Sequence, residues 1–225
     1  MVPLTQGRAG LRELGSRMIR WRVGWRWYAA ALGLPLGVLL TTVALNITLG
    51  AGAPSLVGVG SLSTILMVFA VRLIDPMNGP MGEEPGWRGF ALPGLQTSRS
   101  PLLTTLILAP VIALWYLPLA FIEGGGMKPL DFLGPIAFTF VATWLFNHTD
   151  GSVLMTIVMH AAEGTIHPNE LWSVGAAAST AHAIYPIMWF AVAIGLVILD
   201  WKFWRGSAPA SAMTVPTVSR LPKPA

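Results

Sequence analysis

The 225-residue sequence contains no cysteine. It therefore has no disulfide framework, no thiolate nucleophile and no thiolate metal site. Charged side chains are scarce as well, at 11% of the chain, whereas an average soluble domain has about 25%. Apolar residues make up 54% of the sequence, and the mean hydropathy is +0.64. These values exclude an ordinary soluble globule and predict an all-α polytopic membrane protein.

The positive charge of the chain is concentrated at its two ends, next to apolar runs. Residues 1–26 carry six arginines against the single acid Glu13, with tryptophans interleaved. This composition predicts a basic amphipathic segment that contacts membrane lipid on the cytoplasmic face. The net charge of +4 and the pI near 10 therefore do not indicate a nucleic-acid partner, and the sequence has no nucleic-acid motif.

Long apolar runs predict a bundle of about six transmembrane spans over residues 27–205, since about 20 apolar residues cross a bilayer. The predicted spans are residues 27–49, 54–74, 101–121, 132–148, a shorter 151–166, and 180–200. An even number of spans puts both basic ends on one side, which predicts cytoplasmic N- and C-termini, in the plasma membrane. Residues 206–225 are rich in Ala, Ser and Pro and lack periodicity, so we predict a disordered tail.

The most charged stretch between two apolar runs is residues 81–96, MGEEPGWRGFALPGLQ. Ionisable residues next to apolar spans are functional candidates, because burying a charge there is costly. Glu84 and Arg88 are four residues apart, which on a helix allows an ion pair and leaves Glu83 free to move a proton. The alternative is an ordinary capping segment, with Pro85 in the first turn of a helix.

The string EExxxR followed by GFALPGLQ resembles the first motif of the CAAX-protease and bacteriocin-processing (Abi) family of intramembrane proteases. The resemblance covers roughly residues 75–165. It implies that Glu83 is the base that activates water, and that Glu84 and Arg88 form an ion pair that fixes the segment and tunes Glu83. It also implies a hydrophobic or lipidated peptide or protein substrate, reached from the cytoplasm.

Two further motifs of this family are partly matched. The FxxxH motif corresponds to Ile112 and Tyr116, so a tyrosine replaces the histidine. Its hydroxyl can donate to an oxyanion, although a tyrosine beside Trp115 also fits a membrane interface. The HxxxN motif corresponds to His160 and Gly164, so the asparagine is missing. The resemblance favours His160 as a catalytic residue over a histidine that only packs in the core.

A polar stripe offers a replacement for the missing groups. His160, Glu163 and His167 are spaced i, i+3 and i+7, which places them on one face of a helix. They could form a proton relay or, together with Glu83, bind a divalent metal ion. Two helical turns separate the histidines by roughly 10 Å, so we expect at most a His160–Glu163 pair, with Glu163 as an accessory residue.

Three functions are consistent with these patterns. The first is an intramembrane endopeptidase with Glu83, Glu84, His160 and Tyr116 at its catalytic site. The second is a catalytically impaired relative that acts as an immunity, scaffolding or interaction protein, which the residues at 116 and 164 favour. The third is a small transporter, which the scarcity of polar residues in spans 1, 2 and 4 disfavours.

Overall fold

The computed structural model describes residues 2–122 and 127–209, and this part of the chain is helical with no strand. The all-α prediction is confirmed. The α-helices, in chain order, are α1 Val2–Met18, α2 Trp25–Thr48, α3 Leu62–Ile74, α4 Pro80–Gly86, α5 Leu92–Gln96, α6 Pro101–Trp115, α7 Leu133–His148, α8 Val153–Glu163, α9 Pro168–Leu171, α10 Gly175–Leu199 and α11 Trp201–Arg205. Of the predicted tail, residues 210–225 lie outside the described residues.

Four helical segments in the described part are long and apolar enough to cross a membrane, instead of the six predicted. They are Trp25–Thr48, Pro101–Phe121, Pro129–His148 and Gly175–Leu199. The second and third of these each combine an α-helix with a 3₁₀ turn, at Leu117–Phe121 and Pro129–Phe132.

The two predicted spans that fall short are those at 54–74 and 151–166. The first becomes helical only at Leu62, where the Ser61 hydroxyl accepts a hydrogen bond from the backbone N–H of Thr64 and caps the helix. The resulting 13-residue α3 is about 20 Å long, less than the roughly 30 Å of a hydrocarbon core. The second is the 11-residue α8, which begins after a cap at Ser152.

The largest core is formed where α2, α7, α8 and α10 pack together. Fully or nearly fully buried side chains from all four helices meet there, including Val38, Val141, Leu145, Met155 and Trp189. Because α8 is short and surrounded by other helices, its polar residues lie inside the bundle. This position places His160 and Glu163 in the interior.

The acid-bearing segment is a broken helix against α8. Helix α4 starts with Pro80 in its first turn, and the following turn, Trp87–Ala91, has π-helical hydrogen bonding. There the Leu92 N–H donates to the carbonyl of Trp87, five residues back. Such turns are rare in helices and are frequent at functional sites.

The N-terminal helix α1 packs on this segment and on α8. A Cβ added at Gly89 would overlap the Leu14 side chain, so the contact is close. Arg17 is 1% exposed, donates to Glu13 Oε1 at 2.9 Å and lies over the Phe146 ring. At least this arginine of the predicted lipid-facing segment is therefore inside the fold, because its guanidinium is neutralised there.

Candidate active site

Glu84 is the centre of a buried charge cluster. Its carboxylate is 0% exposed, and its Oε1 accepts hydrogen bonds from Arg88 Nη1 and from His160 Nδ1, each at 2.9 Å. Burial by itself raises the pKa of the Glu84 carboxyl, but the Arg88 charge and the His160 hydrogen bond outweigh it and hold the pKa below its ordinary value. Glu84 therefore stays ionised and serves as an anchor for two neighbouring side chains.

His160 is oriented by this anchor. A carboxylate at Nδ1 favours the tautomer that carries the proton there, which leaves Nε2 to accept or exchange a proton. Nε2 lies toward Gly79, where a Cβ would be 4.0 Å away. The Phe138 ring packs against the imidazole with centroids 5.0 Å apart and also lies under the Arg88 guanidinium. The ring is thus held from two sides, with its second nitrogen toward the cavity.

Glu83 is half-buried and has a different environment from its neighbour. Successive residues of a helix point about 100° apart, so Glu83 is directed away from the Arg88–His160 pair. Its Oε2 accepts a hydrogen bond from the Tyr116 hydroxyl, at the end of α6. The single proton of that hydroxyl is directed at Glu83 and not at a substrate oxygen. In this arrangement Tyr116 fixes the carboxylate of Glu83, the residue expected from sequence to be the catalytic base.

Apart from the fully buried Glu84, these groups line a cavity of about 830 Å³ within the bundle. Its polar wall combines chain segments that are far apart in sequence: Arg72, Glu83, Arg88, Tyr116, His160, Glu163, His167 and His182. Apolar side chains such as Ile112, Phe138 and Trp189 complete the lining. Such a mixture of apolar walls and a few convergent polar groups is typical of a ligand site.

The predicted stripe on α8 is only partly realised. Glu163 lies on the cavity wall, but its Oε1 accepts a hydrogen bond from the Tyr185 hydroxyl at 3.3 Å, while His160 contacts Glu84. His167 lies beyond the helix in extended backbone and begins α9, where its N–H donates to Glu170. Burial lowers the pKa of the His167 imidazole despite the nearby Glu163 charge, which favours the neutral ring.

A metal site does not follow from this arrangement. Within residues 2–122 and 127–209, no three histidine, aspartate or glutamate side chains meet closely enough to hold a metal ion. Glu84 and His160 are hydrogen-bonded to each other, and Glu83 is hydrogen-bonded to Tyr116, so these metal-ligating groups already have partners within the protein. The donor set in this part of the chain therefore does not fit the divalent ion considered from sequence, and no step is derived through one.

The structure adds one residue that sequence reasoning did not place in the site. Arg72, on α3, lines the cavity, and its guanidinium occupies the space where a Cβ at Gly164 would lie. From sequence, Arg72 is only a basic residue near the end of the predicted span 54–74. The one sequence feature that relates to this contact is the glycine at 164, because its lack of a side chain leaves room for a side chain from another helix.

A second histidine–carboxylate contact also lines the cavity. His182, on α10, contacts the Asp131 carboxylate in the 3₁₀ turn before α7. The contact joins two helices, which agrees with the ordinary expectation for a histidine in a span.

The fold and site define an integral membrane protein with an acid–histidine cluster beside an internal cavity. A family model described as "Type II CAAX prenyl endopeptidase Rce1-like" matches residues 61–166. The match confirms the predicted resemblance to the CAAX-protease and bacteriocin-processing family. The matched range includes the cavity-lining residues Arg72, Glu83, Arg88, Tyr116, His160 and Gly164, and also the buried Glu84 behind them. No curated protein matches the sequence.

Proposed function

We propose that this protein is an intramembrane endopeptidase that hydrolyses a peptide bond in a hydrophobic or lipidated peptide. The observation that carries the proposal is that Glu83 of α4 and His160 of α8 line the same cavity, in the region that matches a prenyl endopeptidase family. A carboxylate and an imidazole in one cavity form a pair of groups that can accept and donate protons.

The proposed reaction uses a water molecule as the nucleophile. Glu83 accepts a proton from this water as its oxygen bonds to the scissile carbonyl carbon, and the carbonyl oxygen becomes an oxyanion. The bond to the leaving nitrogen then breaks, and that nitrogen takes up a proton. His160 Nε2 is suited to relay this proton from Glu83 to the leaving nitrogen, since the Glu84 carboxylate at Nδ1 fixes the orientation of the ring. Tyr116 keeps the Glu83 carboxylate oriented.

The direction of substrate entry is part of the proposal. We infer cytoplasmic N- and C-termini from the basic ends of the chain, with the plasma membrane as the location. Arg88 does not bear on this inference, because Glu84 neutralises it inside the fold. The exposed arginines of residues 7–26 and the basic residues Lys202 and Arg205 remain as support.

The test is hydrolysis of a farnesylated, internally quenched peptide with a CAAX C-terminus by the purified full-length protein in lipid vesicles. We expect Glu83→Gln to lower turnover at least roughly 100-fold, since a positioned base contributes about 10²–10⁴-fold. Glu170→Gln is the matched control, because Glu170 is an exposed carboxylate that caps α9. Equal cleavage by wild type and Glu83→Gln would reject Glu83 as the base.

The same assay separates the proposal from its alternative. A catalytically impaired relative with an immunity, scaffolding or interaction role would fold normally and leave the peptide intact in every variant. The replacement of the family's histidine by Tyr116 favours that alternative, while the hydrogen bond from Tyr116 to Glu83 favours an active site that has adapted to the tyrosine.

A further inference from the structure

We propose that Arg72 is the oxyanion donor of this site, a catalytic residue that replaces the side chain missing at position 164. The inference rests on the proposed peptidase function. It assigns the guanidinium of Arg72 to the negative charge that forms on the scissile carbonyl oxygen. A donor aimed at that charge is usually among the largest contributions to catalysis of acyl transfer.

The first support is the position of the guanidinium. Built on Gly164, a Cβ would overlap the Nη2 and Cζ atoms of Arg72, so the two residues are in direct contact. Gly164 follows His160 by four residues at the end of α8, a separation of about 6 Å along the axis. Arg72 therefore reaches the cavity wall one helical turn from the imidazole, although it belongs to a different helix.

The second support is the state of the charge. In the described part of the chain, Arg72 forms no ion pair, and its Nη1 donates to the neutral side chain of Asn78 at 3.2 Å. Its Nε is buried and has no hydrogen-bond partner there. Arg88, the other arginine on the cavity wall, is held by Glu84. Arg72 thus brings to the cavity wall a positive charge that no carboxylate in the described part of the chain holds.

The third support is the use of the other donor. The Tyr116 hydroxyl was the candidate oxyanion donor from sequence, but its proton is directed to Glu83. Within this site, Arg72 offers N–H groups that are directed neither at a carboxylate nor at Glu83. A guanidinium is well suited to the task because it stays charged and presents several donors in a fixed plane.

The test compares four variants of the full-length protein in vesicles with the farnesylated quenched peptide. Arg72→Met fills the same space without a donor, and we expect kcat to fall by roughly 10²–10³-fold with little change in KM. Arg72→Ala should show a similar loss. The double variant Arg72→Ala/Gly164→Asn should regain part of kcat, since an amide then occupies the vacated space. Gly164→Asn alone should unfold at lower temperature than wild type, because it collides with Arg72.

Thermal unfolding of each variant separates lost catalysis from lost structure. Wild-type kcat in a folded Arg72→Met protein would overturn the proposal. A raised KM with unchanged kcat would also overturn it, since that result assigns Arg72 to ground-state binding. A folded double variant no more active than Arg72→Ala would overturn it too, by assigning the arginine a structural role.

If wild type itself does not cleave the peptide, the peptidase function fails first. If wild type cleaves and Glu83→Gln does not, the Arg72 variants test this inference alone.

Discussion

Removing the charge of Glu84 should destabilise the protein more than most single substitutions. Glu84 is 0% exposed and Arg88 is 1% exposed, so Glu84→Gln leaves a buried guanidinium without its counter-ion. Breaking such a pair by removing one partner costs about 3–5 kcal/mol. For a chain of this size, a loss of that magnitude lowers the unfolding temperature by roughly 6–20 °C. The hydrogen bond to His160 weakens at the same time, so peptide cleavage by Glu84→Gln should be slower than wild type even at temperatures where the variant is still folded.

The assay is thermal unfolding in detergent, monitored by the near-UV circular dichroism signal. The informative comparison is with the double variant Glu84→Gln/Arg88→Met, which removes the unpaired charge and keeps a side chain of similar length. Because replacing a whole buried pair is often neutral, we expect the double variant to unfold nearer to wild type than Glu84→Gln does. A double variant at least as unstable as Glu84→Gln would refute the reasoning, since the loss would then not come from an uncompensated charge.

Two further substitutions test the local geometry. Tyr116→Phe removes the hydroxyl that donates a hydrogen bond to Glu83. Because hydrogen bonds to charged groups contribute about 1.5–3 kcal/mol, we expect peptide turnover to fall roughly tenfold or more. The circular dichroism spectrum should stay unchanged. Gly82→Ala should destabilise the protein by about 1–3 kcal/mol in thermal unfolding, because the added Cβ overlaps the carbonyl oxygen of Pro76. Gly86→Ala, on the same helix with open space around it, is the matched control and should unfold like wild type.

The helical membrane architecture was predictable from composition, but the number of spans was not. Residues 54–74 and 151–166 have the apolar content of a span, yet α3 and α8 are too short to cross a bilayer alone. Hydropathy measures the preference of a segment for an apolar environment, and protein interior and lipid satisfy that preference equally. Helix α8 is buried among other helices, so its apolar residues face protein.

The acidic part of the site followed from local spacing. Glu84 and Arg88 lie one turn apart on the same chain segment, and the structure pairs them at 2.9 Å. The contacts of His160 with Glu84 and of Tyr116 with Glu83 join residues 76 and 33 positions apart. No periodicity encodes such contacts. The family resemblance, confirmed over residues 61–166, indicated that these positions belong to one site but not which side chains pair. The approach of Arg72 to Gly164 had no sequence signal beyond the absence of a side chain.

The sequence by itself determined that this chain is a helical membrane protein, and that its acid pair and histidine lie in motifs resembling those of a membrane protease family. Apolar content and residue spacing are local properties, so they can be read without coordinates. The tertiary structure alone decided the partner of each ionisable group. Glu84 is fixed by Arg88 and His160, Glu83 contacts Tyr116, and Arg72 fills the space left at Gly164. The physical reason is that a buried charge is stabilised by whichever opposite charge or donor the packing of distant helices brings within a few ångströms.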